Sequence, residues 1–179
     1  MPTLIPPDPP LSDDALALRV PSDAFLADVA EACSDPEIAR WTTVPDPYTE
    51  ADGRAFLALV DRDWAEGNAA TFMFARHGAA RLDGMVSLSF VADGIGVVGY
   101  WTAPWARGEG LATRALVLIT GWGLGAAGLA RIDLATLLGN RGSERVAQKA
   151  GYAGGQVVPR AVEQRGVRRP VRLWHRTAS

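Results

Sequence analysis

Residues 104–113 read PWARGEGLAT, an arginine and two glycines set between a tryptophan and a long apolar run. In that run Leu111, Ala115, Leu118 and Trp122 recur at helical spacing, which predicts a helix from about Gly110 to Gly123. Glycine weakens a helix by about 1 kcal/mol relative to alanine, so Gly108 and Gly110 at its start need a reason. One reading is a plain turn; the other is a backbone that must touch something. The strand-like Tyr100-Trp101-Thr102 runs into this loop. Amides at a helix N-terminus point in one direction, and the helix dipole adds partial positive charge, so an anion, most often a phosphate, is stabilised there. Glycines remove the Cβ atoms that would hold a ligand away. Arg107 can add a charge-assisted contact and Thr113 a hydroxyl. The loop lacks the Gly-Lys-Ser/Thr ending of a nucleoside-triphosphatase loop and is not a dinucleotide GxGxxG fingerprint.

Working outward, ALALRVP (15–21) reads as a first strand. Ser22 is placed to cap a helix over Asp23–Cys33, and SDPEIARW (34–41) offers a cap and a proline at the first helical position. Thr49 with Asp52 has the spacing of a capping box, opening a helix that ends near Gly67. The period then changes. ATFMFARH (70–77), RLDGMVSLSFVA (81–92) and IGVVGYWT (95–102) read as three successive strands, with Asp93-Gly94 as a hairpin signal. Past the glycine loop and its helix, ARIDLATLL (130–138) is a strand and Ser143–Ala150 a helix. YAGGQVVPR and VRLWHRT are closing strands around a polar, glycine-containing loop. The order β-α-α-β-β-β-α-β-α-β-β describes an α+β fold, a mixed sheet flanked by helices.

Composition bounds the rest. At 179 residues, 48% hydrophobic and 21% charged, the chain suits one globular domain. Residues 1–14, with five prolines and three aspartates, read as a flexible arm, leaving 15–179 as the domain. A net charge of −2 gives no general attraction to nucleic acid, and no base-reading motif appears. Ten acids against Arg19 and Arg40 crowd residues 1–50, whereas residues 160–176 hold six arginines and only Glu163. That basic tail is either a solvated strand pair or a surface for a phosphate or acidic partner. Cys33 is the sole cysteine, so no intrachain disulfide forms. The run 111–130 contains Arg114 and four glycines and reads as amphipathic rather than membrane-spanning. A cytoplasmic protein without a metal site is the expectation.

A second element, NRGSERVAQKAGY (140–152), follows the 130–138 strand. Together the two resemble the GNAT superfamily of acyl-CoA-dependent N-acyltransferases. Arg107-Gly108-Glu109-Gly110-Leu111-Ala112 is similar to that family's (R/Q)-x-x-G-x-(G/A) loop, and Asn140, Ser143 and Lys149-Ala150-Gly151-Tyr152 to its asparagine loop and last helix. SDPEIARW, the GYW before the loop and the N-x-x-S spacing look most like the branch that includes the ribosomal-protein N-terminal acetyltransferases. The resemblance spans roughly Ala15 to Trp174. It implies a mostly antiparallel sheet of about seven strands with about four helices. Two neighbouring parallel strands, here 95–102 and 130–138, splay apart in that family, with the thioester in the gap. The coenzyme A pyrophosphate would lie on the amides of residues 107–113, Thr113 included, and the pantetheine arm along Tyr100, Trp101 and Thr102. Asn140 would contact that arm, and Ser143 would lie near its sulfur as the catalytic hydrogen-bond donor. Trp41 and Glu37 fall in the segment that covers the acceptor in relatives.

The sequence departs from the family pattern at two positions. Many relatives carry a tyrosine acid where this chain has Ala147, and some place a glutamate base where it has Val97. Ser143 is then the remaining donor, with helix capping as its other reading. Asp35, Glu37 and His77 are the substitutes available for the base. Trp101 ranks after Trp41 as a substrate wall, Trp64 and Trp122 read as core, and His175 as a strand residue. The resulting expectation is transfer of an acetyl or other acyl group from acyl-CoA to a primary amine, either a small molecule or a protein N-terminus. The alternatives are an acyl-CoA sensor without catalysis, or an acyltransferase fed by an acyl carrier protein that docks on the basic tail. Dimerisation through the closing strands is compatible with the sequence and not required by it.

Overall fold

The computed structural model describes residues 4–91 and 94–178. A seven-stranded sheet runs in the order β1-β2-β3-β4-β5-β7-β6. Its strands are β1 Leu16–Arg19, β2 Ala69–Arg76, β3 Gly84–Phe90, β4 Ile95–Thr102, β5 Arg131–Leu137, β6 Ala153–Gln164 and β7 Val167–Thr177. Every neighbouring pair is antiparallel except β4 with β5. That parallel pair needs a crossover, which the apolar run after the glycine loop supplies as a helix. The helices are α1 Leu26–Cys33, α2 Pro36–Trp41, α3 Glu50–Glu66, α4 Leu111–Leu124 and α5 Arg141–Lys149. The Asp93 half of the expected β3–β4 hairpin signal lies outside the described residues.

Local chemistry sets most helix ends. The Asp35 side chain accepts from the amides of Glu37 and Ile38, with Pro36 at the first position of α2. Thr49 and Asp52 form the reciprocal capping box of α3, and Gly67 ends that helix at φ 73°. One boundary differs from expectation. Ser22 makes no capping bond; a 3-10 turn over Asp23–Phe25 comes first, and α1 begins only at Leu26. Phe25 packs toward Val29, Met73 and Leu82, and this tertiary contact fixes the entry to α1.

Alternation along the strands separates two faces. Phe72, Phe74, Val86, Leu88, Val98, Ile132 and Leu134 face a core built with Leu111, Ala115, Leu116 and Ile119 of α4, Ala147 of α5 and Val60 and Trp64 of α3. The two tryptophans read as core are there: Trp64 and Trp122 join Phe72 and Phe90 with ring centroids 5.3–6.3 Å apart. On the opposite face α1 and α2 cover Met73, Met85 and Trp101. That cover stops short of the sheet's middle, leaving Val97 and Leu173 exposed. The proline-rich opening is held from Leu4 onward: Leu4 and Leu11 pack on the core, and Asp13 pairs with Arg114 at 2.9 Å.

The β4–β5 ladder is short. It pairs Ile95–Val98 with Arg131–Leu134 and then stops, although β4 stays bonded to β3 as far as Thr102 and β5 to β7 as far as Leu137. Past Val98 the two strands part company, and the sheet opens as a wedge.

Candidate active site

The wedge continues into a cleft of roughly 1190 Å³, larger than the ~300–1,000 Å³ of an ordinary small-ligand pocket. At one end stands the glycine loop. Gly108 and Gly110 have φ of 83° and 80°, a left-handed backbone that disfavours any other residue. A Cβ at either would meet no protein atom within 4 Å, so both face open space. Gly110 is the N-cap of α4 and provides no side-chain cap, so the amides of Leu111 and Ala112 remain available to a ligand, while that of Thr113 donates to the Gly110 carbonyl at 3.1 Å. Leu111, Ala112 and Thr113 line the cleft here, as do Tyr100, Trp101 and Thr102 farther along.

The two charged side chains of the loop both carry ion pairs, and Arg107 also lines the cleft. Arg107 donates to Asp35 at 2.7 and 3.4 Å, joining the loop to the start of α2. Glu109 pairs with Arg76 at 2.8 Å, which also forks onto the buried Asp83 carboxylate. The loop therefore offers mainly backbone. Further cationic side chains come from α5, where Arg141, Arg145 and Lys149 stand four residues apart and line the cleft. The same i, i+4 spacing is visible in the sequence inside the NRGSERVAQKAGY motif.

Asn140 and Ser143 meet at the start of α5. The Asn140 side chain accepts from the Ser143 amide at 3.1 Å and so caps the helix. This answers the alternative posed for Ser143: the cap is Asn140, and the serine hydroxyl lies 2.7 Å from the Tyr100 hydroxyl. Burial pushes the Tyr100 phenol up to about 12, so it stays protonated across the neutral range. Ala147, which stands where relatives carry a tyrosine, is fully buried in the core and has no route to the cleft.

At the other end, Trp41 and Glu37 are tied together, the indole N–H donating to the carboxylate at 2.9 Å. Arg40 reaches the same carboxylate at 3.3 Å and lies 4.7 Å over the Trp41 ring. These donors hold Glu37 below the usual carboxylate range, Trp41 contributing most. Asp35 is held low chiefly by Arg107. Neither fits a base that must take up a proton near neutrality. His77 bonds the Asp13 carbonyl at 2.8 Å and lies outside the cleft. Val44, Phe56, Val97 and Val162 make this end apolar, with a Thr71–Ser87 hydroxyl pair 2.8 Å apart on its wall.

The basic tail has internal uses. Arg176 donates to the Ala150 carbonyl, Arg172 to Gly155 and the Glu144 carboxylate, and Arg165 to the Val44 carbonyl. Gln164, only 6% exposed, donates to the carbonyls of Ala39, Arg40 and Thr42 at 3.4, 3.0 and 2.6 Å. It thereby satisfies the C-terminal end of α2. Gln164→Leu leaves these carbonyls without that donor and should lower unfolding free energy by about 1–3 kcal/mol. Urea titration of the variant beside the wild type checks this.

A strand wedge beside an uncapped helix N-terminus, with hydroxyls at its inner end, makes a cleft suited to an elongated anionic ligand. Residues 15–153 match the model of the acetyltransferase (GNAT) domain family. The chain belongs to that family and is a GNAT acetyltransferase, moving an acetyl group to an amine. No curated protein sequence matches it. Among solved structures it is similar to the microcin self-immunity acetyltransferase MccE in complex with acetyl-CoA and AMP, at 18% identity and TM-score 0.82, over 92% of this chain and 93% of that one. RimJ of Mycobacterium smegmatis, solved with CoA-disulfide, is 20% identical over 91% of this chain and 82% of its own, with TM-score 0.82. RimL, a ribosomal alpha-N-protein acetyltransferase solved with coenzyme A, is 15% identical over 94% and 96%, again at 0.82. These likenesses are of fold, and they include the ribosomal-protein branch that the motifs resemble. No helix among the described residues is long and apolar enough to cross a membrane.

Proposed function

We propose that the donor is acetyl-CoA, that its pyrophosphate rests on the amides of residues 108–112 beside the Thr113 hydroxyl, and that the acceptor is an amine entering between α2 and the exposed sheet face. The observation that carries this reading is one continuous cleft. It joins the open start of α4, the β4–β5 wedge and the Ser143 hydroxyl. The residues suit such a donor. Two left-handed glycines leave space for a pyrophosphate, the α5 cations face the cleft, and the free edge of β4 beyond Val98 can pair with an extended arm. Bound acetyl-CoA supplies an activated carbonyl. This chain orients it, offers a hydrogen bond toward the departing sulfur from Ser143, and excludes water with Trp41 and Val162. Of the six arginines near the C-terminus, Arg165, Arg172 and Arg176 donate to carbonyls within the fold, which reduces the charge free for a carrier protein and favours free acyl-CoA as donor.

Purified protein incubated with acetyl-CoA and a panel of amines and short peptides should release free thiol in step with N-acetylated product. Tight coenzyme A binding with no thiol release from any acceptor would leave a sensor instead. Turnover only with an acylated carrier protein would overturn the choice of donor.

A further inference from the structure

We propose that Tyr100 is a positioning residue for acyl transfer: its phenol donates to Ser143 Oγ and thereby aims the serine hydroxyl at the departing sulfur. This rests on the function proposed above. The two oxygens lie 2.7 Å apart, although 43 residues separate them in the chain. A serine hydroxyl has one proton and two lone pairs. If Ser143 gives its proton to Tyr100, it has nothing left for the cleft. If Tyr100 gives its proton to Ser143, the serine proton is free to point into the wedge. The Ser143 carbonyl, 3.4 Å from the phenol oxygen, is the only other acceptor the described residues offer that phenol. Serine capping of α5 does not compete, because Asn140 already holds the Ser143 amide.

Charge on sulfur selects between the two arrangements. When the amine nitrogen bonds to the acetyl carbon and the carbon–sulfur bond breaks, the electron pair leaves on sulfur. The extra proton of the new ammonium passes to water. An anion then stands where a donor is wanted, and the chain Tyr100 O–H, Ser143 O–H, sulfur has every hydrogen pointing toward it. Each bond polarises the next. Neither residue loses a proton: the phenol, pushed up to about 12 by burial, is too weak an acid to ionise, and both hydroxyls end the cycle as they began. Of the other titratable groups on the elements packed here, Tyr152 bonds Thr120 on the core side and Glu144 pairs with Arg172. Arg141, Arg145 and Lys149 line the cleft, and their pull on a thiolate is common to the wild type and the variants below.

The test replaces Tyr100 by phenylalanine, which removes one oxygen and keeps the ring. Coenzyme A itself is the probe, its thiol titrated in the complex by the ultraviolet absorbance of the thiolate. With the wild-type protein the bound thiol should ionise at lower pH than in Y100F or S143A, by about one unit, a tenfold difference. The Y100F/S143A double variant should match S143A alone, since the phenol acts only through the serine. In turnover, kcat of Y100F should fall about tenfold with the KM for acetyl-CoA unchanged. An acetyl selenoester of the same carrier, whose leaving group needs less help, should erase most of that defect. A thiol pKa equal in wild type and Y100F, with coenzyme A bound to both, overturns the proposal alone. Failure of the wild type to bind coenzyme A overturns the functional reading and this inference with it.

Discussion

Gly110→Val should raise the dissociation constant for coenzyme A by about 100-fold or more, close to 3 kcal/mol, while the chain still folds. Gly110 sits at φ 80° as the N-cap of α4. A β-branched residue there is a steric outlier, with about 1–3 kcal/mol of strain. The backbone relieves that strain by turning the peptides on either side, and those peptides carry the amides offered to the pyrophosphate. The valine methyls also enter space that no protein atom occupies within 4 Å, which is the space a ligand would take. Gly78 provides the control. It has φ 74°, also faces open space, and lies in the turn after β2, outside the cleft. Gly78→Val should carry the same backbone strain and lose similar thermal stability, yet keep coenzyme A affinity. Calorimetric titration with coenzyme A, beside thermal melts of both variants, reads the difference. Equal, unchanged affinities would remove the loop from the donor site.

The glycine loop was legible because its oddity is local: two glycines at a helix start announce themselves against a single neighbouring apolar stripe. The same holds for Asp35 before Pro36, for the Thr49–Asp52 box, and for Gly67. In each case the partners lie within a few residues. What the sequence withheld depends on contacts across the chain. Whether Ser143 caps α5 or serves the cleft turns on Asn140, which holds its amide, and on Tyr100, whose hydroxyl lies 2.7 Å from its own. Arg107 reads as a phosphate contact, and only the fold shows that it also pairs with Asp35, 72 residues away, at the cleft wall. The arginines near the C-terminus suggested a docking surface, whereas Arg165, Arg172 and Arg176 close carbonyls of neighbouring elements. Charge alone cannot say whether an arginine faces water or a backbone carbonyl, since its long side chain reaches either.

The missing base leads to the second large effect. Only the neutral form of an amine attacks a carbonyl, so the acceptor must shed a proton before or during the step. Among the described residues lining the cleft, Glu37 is the one carboxylate, and no histidine lines it. The Glu37 carboxylate is held below its ordinary range by Trp41 and Arg40, so it is already ionised well under neutrality and adds no limb to a profile between pH 6 and 9. Asp133 and His175 stand opposite each other in register beside Val97, but both lie outside the cleft lining, and Asp133 pairs with Arg131. Deprotonation is then left to solution, and the acceptor's own pKa decides its rate. A backbone α-amine, with pKa near 8, is about 10% neutral at pH 7, against about 0.04% for a lysine side chain with pKa near 10.4. At pH 7, kcat/KM should therefore favour a peptide α-amine over a lysine amine in matched peptides by about 200-fold. The profile should rise with pH, and its midpoint should move with the amine: near 8 for the one and near 10 for the other. Kinetics across pH with both peptides make the test. A midpoint that stays fixed when the amine changes would mean that the protein supplies the base after all, and Asp133 with His175 is the pair whose replacement should then abolish it.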